Sequence, residues 1–171
     1  MGKAGVTIGA FVAMWVLFLA APVMAAPVCS PEQVDLRGDF GTARFSVAVA
    51  DDPRERAQGL MHVDRMARST GMIFLYPEPQ TAAFWMKNTL IPLDMIFVGA
   101  DGVVRKVHEN AIPQDLTPIP GGDDIVAVLE INGGLSGALG IEAGAEMRHP
   151  AFGAEAAWAC PEGETQSLPE N

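Results

Sequence analysis

Residues 125–132 constrain the fold more than any other stretch of the sequence, because they have the two-residue repeat of a β-strand. Their odd-numbered positions are all apolar, whereas the other face carries two valines followed by Glu130 and Asn132. The 18 glycines and 13 prolines of the chain supply frequent turns. This composition favours a chain of short strands over a helical bundle.

Other stretches also have the pattern of short strands. Residues 43–51 alternate, residues 71–76 form a continuous apolar run, and residues 93–98 are apolar except for Asp94. The run at 71–76 is predicted to end at the two prolines that follow it, with a tight turn before residues 81–87. Residues 112–123, with their prolines and glycines, are predicted to form a long surface loop.

A short helix is predicted to begin at Pro53, with Asp52 as its N-cap and Gly59 at its end. The chain has 171 residues and is 49% hydrophobic, which is enough to build one core. The predicted fold is therefore mainly β, a compact β-sandwich or squat barrel with one or two short helices.

The N-terminal segment has the pattern of a secretory signal peptide. Lys3 precedes an uncharged apolar run at residues 6–20, and small residues suited to cleavage follow. The alternative is an uncleaved anchor helix, although a span needs about 20 apolar residues. We expect a periplasmic or secreted protein with a signal peptide at residues 1–25, a single β domain at 26–160 and an acidic flexible tail at 161–171.

The chain has two cysteines, Cys29 and Cys160. In an oxidising compartment such a pair is predicted to form one structural disulfide. The bridge would close a loop of about 130 residues, for which the chain-entropy model gives about 4–5 kcal/mol. A redox or metal-binding pair is the alternative, but the sequence contains no CxxC motif.

The charge of the chain limits its partners. Its formal net charge is −10 and its pI is about 4.6. Nucleic acids and anionic membrane surfaces select basic patches, so we expect neither as a partner once the signal peptide is removed. The expected partner is an unidentified small molecule or an envelope protein.

Candidate functional residues concentrate in residues 84–98, where polar side chains interrupt an apolar stretch. Two carboxylates, Asp94 in this stretch and Glu130 in the later strand, have apolar neighbours, so each should have a polar partner. One interpretation is structural: a cation pairs with a carboxylate and fixes strand register. In the other, the polar groups line the mouth of a pocket. The candidate ligand-binding residues are Arg56, Trp85, Lys87, Asn88, Asp94 and Glu130.

No metal or cofactor is predicted. The three histidines lack the spacing of metal ligands, and no glycine-rich phosphate loop is present. Thioether groups can bind Cu(I), but methionines in apolar strand faces are typically core. The methionines concerned are Met61, Met72, Met86 and Met95.

Several motifs occur together in a distinctive order: ERAQGLM at residues 55–61, GMIF at 71–74, FWMKNT at 84–89, IPLD at 91–94 and VLEINGG at 128–134. In this combination the chain resembles the domain-of-unknown-function 192 family (DUF192), in a secreted bacterial form. The resemblance covers approximately residues 45–147. It implies a compact, mostly β fold, often secreted, and no established activity.

Three functions remain open. A binding or interaction module predicts a concave or apolar exposed surface around Trp85–Asn88 or residues 112–123. A structural or stress-related envelope protein predicts that internal hydrogen bonds occupy every polar group of the motif. A hydrolase, with Asp94 or Glu130 as the acid–base group and Lys87 as electrostatic stabiliser, predicts that these groups converge within hydrogen-bond reach in a cleft. We rank the binding module first and the hydrolase last.

Overall fold

The computed structural model describes residues 1–2 and 29–161. Most of the predicted signal peptide and all but one residue of the predicted tail therefore lie outside the described residues. The elements are β1 (Gln33–Gly38), β2 (Gly41–Ala50), α1 (Pro53–Gln58), β3 (Thr70–Phe84), β4 (Leu93–Gly99), β5 (Val104–Ala111), β6 (Ile119–Asn132), α2 (Leu135–Leu139) and β7 (Glu146–Arg148).

The start of α1 shows how local sequence sets local structure. The Asp52 side chain accepts a hydrogen bond from the backbone N–H of Glu55 at 2.7 Å, and Pro53 occupies the first turn. An N-cap side chain and a proline in the first turn both stabilise the N-terminus of a helix, and α1 has both. Gly59 ends the helix at a φ of +48°, which a glycine adopts without the strain of a Cβ.

The strands form one seven-stranded sheet in the order β5-β4-β6-β3-β2-β1-β7. All neighbours are antiparallel except β2 and β3, which are parallel. The sheet curls until its two edges meet, because Val103 bridges Glu146 and the N–H of Val104 donates to the carbonyl of Ala145 at 2.8 Å. This curled half-barrel confirms the mainly β prediction.

Both faces of the sheet are covered where β4 and β6 run side by side. On β4, Ile96 and Val98 pack in the core inside the curl, whereas Met95 and Phe97 pack in a second cluster on the opposite face. Every residue of β4 is consequently buried. The second cluster lies beneath the residues that follow α1 and beneath the far end of β3, and the candidate site borders it.

Two sequence expectations about this region are wrong. The strand β3 continues through both prolines to Phe84, with its β6 pairing irregular between Leu75 and Gln80. The prolines are tolerated because β2 pairs with β3 only as far as Phe74, so no ladder hydrogen bond is required there on that side. The predicted loop 112–123 is partly strand, because β6 begins at Ile119, which pairs with Phe84.

The two ends of the described domain are joined covalently. Cys29 and Cys160 form a disulfide with a Cα–Cα distance of 5.8 Å. The predicted disulfide is therefore present, and it is compatible with an extracytoplasmic location. Among the described residues, no helix is long and apolar enough to cross a membrane.

Candidate functional site

A cleft of about 110 Å³ opens between α1, the far end of β3 and the segment that follows β3. Leu60, Phe74 and Phe84 supply apolar walls, and Arg56 and Lys87 supply positive charge. Among residues 1–2 and 29–161, Glu130 is the only acidic one that lines it. Four of the six predicted ligand-binding residues therefore line one cleft: Arg56, Trp85, Lys87 and Glu130.

Strand register places Glu130 at this cleft. It lies on β6 opposite Met72 of β3 and Met95 of β4. Residues directly opposite one another in a sheet point to the same face, so Glu130 is on the face of the second apolar cluster. Its side chain is only 4% exposed, although it lines the cleft.

Glu130 has no hydrogen bond or ion pair from its carboxyl group among residues 1–2 and 29–161. Burial raises the pKa of Glu130 to about 8, because the apolar surroundings disfavour the charged form. At neutral pH the group is therefore mostly a protonated acid. In that form it can donate one hydrogen bond as well as accept.

Lys87 lies at the exposed mouth of the cleft. Its Nζ is 5.0 Å from the centre of the Trp85 ring, a cation–π distance. Within the described part of the chain its ammonium group forms no ion pair. Trp85 is itself 50% exposed. The mouth therefore presents an aromatic face and an ammonium group to solvent.

Arg56 is held against the side of the cleft by α1. Its Nη1 donates to the carbonyl of Leu75 at 2.9 Å and also to the carbonyl of Asp51. Its Cζ is 5.3 Å from the centre of the Tyr76 ring. The guanidinium is thus fixed in place by backbone acceptors and carries no carboxylate partner among the described residues.

Sequence reasoning missed Tyr76, which also lines the cleft. Burial raises the pKa of Tyr76, the charge of Arg56 opposes that rise, and Glu130 reinforces it. These three groups are therefore close enough to interact electrostatically. The only signal in the sequence was that Tyr76 is the single tyrosine of the chain, beside a proline.

The other two predicted residues do not line the cleft. Asn88 is exposed beside it, and its Nδ2 is 3.7 Å from the sulfur of Met61, which does line the cleft. Its carbonyl accepts a hydrogen bond from the N–H of His62 at 2.9 Å. Asn88 therefore shapes the rim of the cleft by joining two loops.

Asp94 lies inside the protein and has a structural role. Its side chain is fully buried and accepts from the backbone N–H groups of Asn110, Gly134 and Ser136 at 2.7–2.8 Å. The Ser136 hydroxyl donates a fourth hydrogen bond at 2.6 Å. Asp94 therefore ties β4 to the end of β5 and the start of α2. The expected cation partner is replaced by backbone amides and a hydroxyl.

The methionines divide between the core and the cleft. Met86 and Met95 are completely buried in the second cluster, and Met72 packs against it. Met61 lines the cleft. Met72, Met86 and Met95 therefore fill space in the apolar core, which is the usual role of buried methionines.

An exposed apolar surface adjoins the cleft. Two loops carry it, and they are joined by hydrogen bonds from Met86 N–H to the Asp115 carbonyl at 2.9 Å and from Gln114 N–H to the Thr89 carbonyl at 3.1 Å. Large apolar side chains on these loops are 45–66% exposed. They are Trp85, Leu90, Ile112 and Leu116.

A polar cluster that the sequence did not reveal lies on β2, β1 and β7, towards the β7 edge of the sheet. Asp35 is buried between Arg44 and Arg148, with shortest contacts of 2.6 Å to each. Burial alone would raise the pKa of Asp35, but hydrogen bonds from both arginines lower it overall. Trp158 stacks on Arg148, with 4.4 Å from Cζ to the ring centre. This cluster is internally paired and fastens β1 to β2 and β7.

The fold and the cleft together define a mainly β protein in which one curled sheet carries a small mixed polar and apolar site. The model of the DUF192 family, described as "Uncharacterized ACR", matches residues 34–149. The chain therefore belongs to the DUF192 family, as the sequence motifs predicted. No curated protein matches the chain.

Two solved structures resemble it at the level of sequence and fold. A protein of unknown function from Novosphingobium aromaticivorans is 43% identical, with 72% of this chain and 92% of that chain covered and a TM-score of 0.66. A candidate transcription regulator from Sinorhizobium meliloti is 38% identical, with 72% and 96% covered and a TM-score of 0.66.

Proposed function

We propose that this protein is a periplasmic or secreted binding module whose cleft, lined by Arg56, Trp85, Lys87 and Glu130, holds a small polar ligand. One observation carries the proposal: the carboxyl group of Glu130 is buried in the cleft with no partner among the described residues. Burying a polar group without a hydrogen bond is unfavourable, and a bound ligand would relieve that penalty.

The cleft supports binding over a purely structural role. In a purely structural protein, every polar group of the motif was expected to form hydrogen bonds within the protein. Asp94 fits that description, with four internal hydrogen bonds. Lys87 and Glu130 do not, because neither side chain is paired within the described region. The concave surface and the exposed apolar loops also occur where a binding module requires them.

The proposed location outside the cytoplasm has two supports. The N-terminal sequence has the charge, apolar run and small residues of a signal peptide. The Cys29–Cys160 disulfide is the kind of bond that forms and persists in oxidising compartments.

Nucleic-acid binding is not proposed, although the Sinorhizobium protein is described as a candidate regulator. This chain has a formal charge of −10, and DNA binding depends on lysine and arginine contacts to phosphates. Lys87 and Arg56 supply only two positive charges at the cleft.

A second candidate is a hydrolase in which Glu130 acts as a general acid in the cleft that Lys87 also lines, although the two side chains do not lie within hydrogen-bond reach of each other. The raised pKa of Glu130 favours it, since a general acid must hold its proton near neutral pH. Asp94 has no part in this version, because it is fully buried and internally bonded. Catalysis would be recognised by turnover of ester or amide probes that Glu130→Gln abolishes while the folded state persists.

The binding proposal is tested by a thermal-shift screen of the mature protein against sugars, amino acids, organic acids and other envelope metabolites. A ligand of this cleft is expected to raise the melting temperature of the parent and not that of Lys87→Ala. Arg68→Ala is the matched control, because Arg68 is exposed and does not line the cleft. Equal stabilisation of all three proteins, or of none, would contradict the proposal.

A further inference from the structure

The charges of the cleft do not balance. Its lining contains two cations, Arg56 and Lys87, against one carboxyl group. Glu130 is protonated at neutral pH, so it contributes no negative charge there to offset them. In a protein with a net charge of −10, this cleft is a local concentration of positive charge. Such a site attracts anions and repels cations.

The hydrogen-bonding groups point to the same ligand chemistry. A protonated carboxyl offers one O–H donor, and an ammonium group offers three N–H donors. An ionised carboxylate accepts hydrogen bonds and donates none. It would therefore complement Lys87 and Glu130 at once. An amine ligand would instead meet two cations and an acid without charge.

The size and walls of the cleft restrict the rest of the ligand. Its volume of about 110 Å³ is small beside the roughly 300–1,000 Å³ of typical small-molecule sites. The side chains of Leu60, Phe74 and Phe84 line it and are apolar. This combination fits a carboxylate attached to a short aliphatic group better than a phosphate or a sugar.

We propose that the ligand is a small organic monocarboxylate, or the terminal carboxylate of a larger molecule, held between Lys87 and Arg56 with the Glu130 carboxyl donating to it. This inference rests on the proposed binding function and specifies the ligand class of the same site.

Binding is then expected to depend on pH. The titratable and charged groups that line the cleft with Glu130 are Arg56 from α1, Tyr76 from β3 and Lys87 from the segment after β3. Above about pH 8 Glu130 ionises, loses its donor and repels the bound carboxylate. Affinity should therefore fall from pH 6.5 to pH 9.0.

The experiment measures binding of propionate, propionamide, propylamine and inorganic phosphate to the mature protein by NMR, following the indole signal of Trp85. Propionate is expected to bind at pH 6.5 and at least tenfold more weakly at pH 9.0. Lys87→Ala should weaken it at least tenfold, and Arg68→Ala should not. In Glu130→Gln the ratio of affinities at the two pH values should approach one, because glutamine cannot ionise.

Propionamide, propylamine or phosphate binding as tightly as propionate would overturn the carboxylate inference. Propionate binding that ignores both pH and Lys87→Ala would do the same. If none of the four probes binds but the thermal-shift screen finds another Lys87-dependent ligand, the binding function stands and this inference fails. If that screen is flat as well, both fail.

Discussion

Glu130 and Lys87 line the same cleft without forming an ion pair. The acid is buried on β6, and the ammonium group lies at the mouth, 5.0 Å from the ring of Trp85. A carboxylate with a cation within about 4–6 Å would ordinarily be ionised and paired. Here burial dominates and raises the pKa of Glu130 to about 8. The separation leaves a donor at the base of the cleft and a cation at its entrance.

The free energy of unfolding is predicted to fall with rising pH because of Glu130. The folded-state pKa of about 8 exceeds the ordinary value of 4.5. The folded protein therefore binds its proton more tightly, and this stabilisation is complete below the unfolded value and lost as pH rises through the folded value. The slope contributed is at most about 1.4 kcal/mol per pH unit between those values.

Glu130→Gln should remove that slope. Urea unfolding at pH 5, 7 and 9 is expected to show the variant gaining stability over the parent as pH rises. Glu142→Gln, at an exposed position, is the matched control and should follow the parent. A parent and Glu130→Gln with parallel pH profiles would refute the assignment.

Asp94 is predicted to contribute to stability and not to ligand binding. Asp94→Ala leaves three backbone N–H groups and the Ser136 hydroxyl without their acceptor, and Ser136 is buried, so we expect a loss of about 3–5 kcal/mol in the free energy of unfolding. Chemical denaturation measures it. Ser136→Ala removes one of the four hydrogen bonds and should lose much less. An Asp94→Ala loss below about 1 kcal/mol would contradict this role.

The Asp35 cluster should also be stabilising, and sensitive to acid. Asp35→Asn is expected to destabilise the fold by about 3–5 kcal/mol, because it leaves the buried Arg148 without a charge partner. The folded pKa of Asp35 is lowered, so its stabilisation is present above the ordinary value of 3.8 and is lost as pH falls through the folded value. The stability difference between parent and variant should therefore shrink towards low pH. A difference that grows on acidification would contradict the assignment.

The disulfide is predicted to stabilise the domain by constraining its unfolded state. The bridge joins residues separated by 131 positions. Replacing both cysteines by serine should lower the free energy of unfolding by up to about 5 kcal/mol. Reducing agent should destabilise the parent similarly and leave the double variant unchanged. Equal stability of oxidised parent and double variant would contradict the prediction.

The sequence predicted the strands and the buried acid for clear physical reasons. A two-residue apolar repeat identifies a half-buried strand, and Glu130 stands out because it interrupts the apolar residues of such a strand. The Cys29–Cys160 bridge followed from the expectation that the two cysteines of the chain pair in an oxidising compartment. The strand and the buried acid can be predicted from neighbouring residues alone, and the disulfide can be predicted from the number of cysteines.

Other features depend on contacts between distant parts of the chain. Asp94, like Glu130, has apolar neighbours in the sequence. Unlike Glu130 it is hydrogen-bonded, because the backbone N–H groups of residues 110, 134 and 136 donate to it. Pro77 and Pro79 were expected to end a strand, but β3 continues because its β2 partner ends first. Tyr76 joins the cleft only because α1 folds back towards it, as the Arg56 contact shows. These contacts join residues that are far apart in the sequence, so no local sequence pattern predicts them.

The Glu130 carboxyl group lies in the cleft, protonated and without a partner among the described residues, and an NMR titration of its side-chain carbon measures its protonation state. With glutamate labelled at its carboxyl carbon, Glu130→Gln identifies the signal by its loss. We predict a titration midpoint near pH 8 for Glu130. A midpoint near its ordinary value of 4.5 would show that Glu130 is a charged carboxylate at neutral pH and would contradict both its protonation and its role as a donor in the cleft.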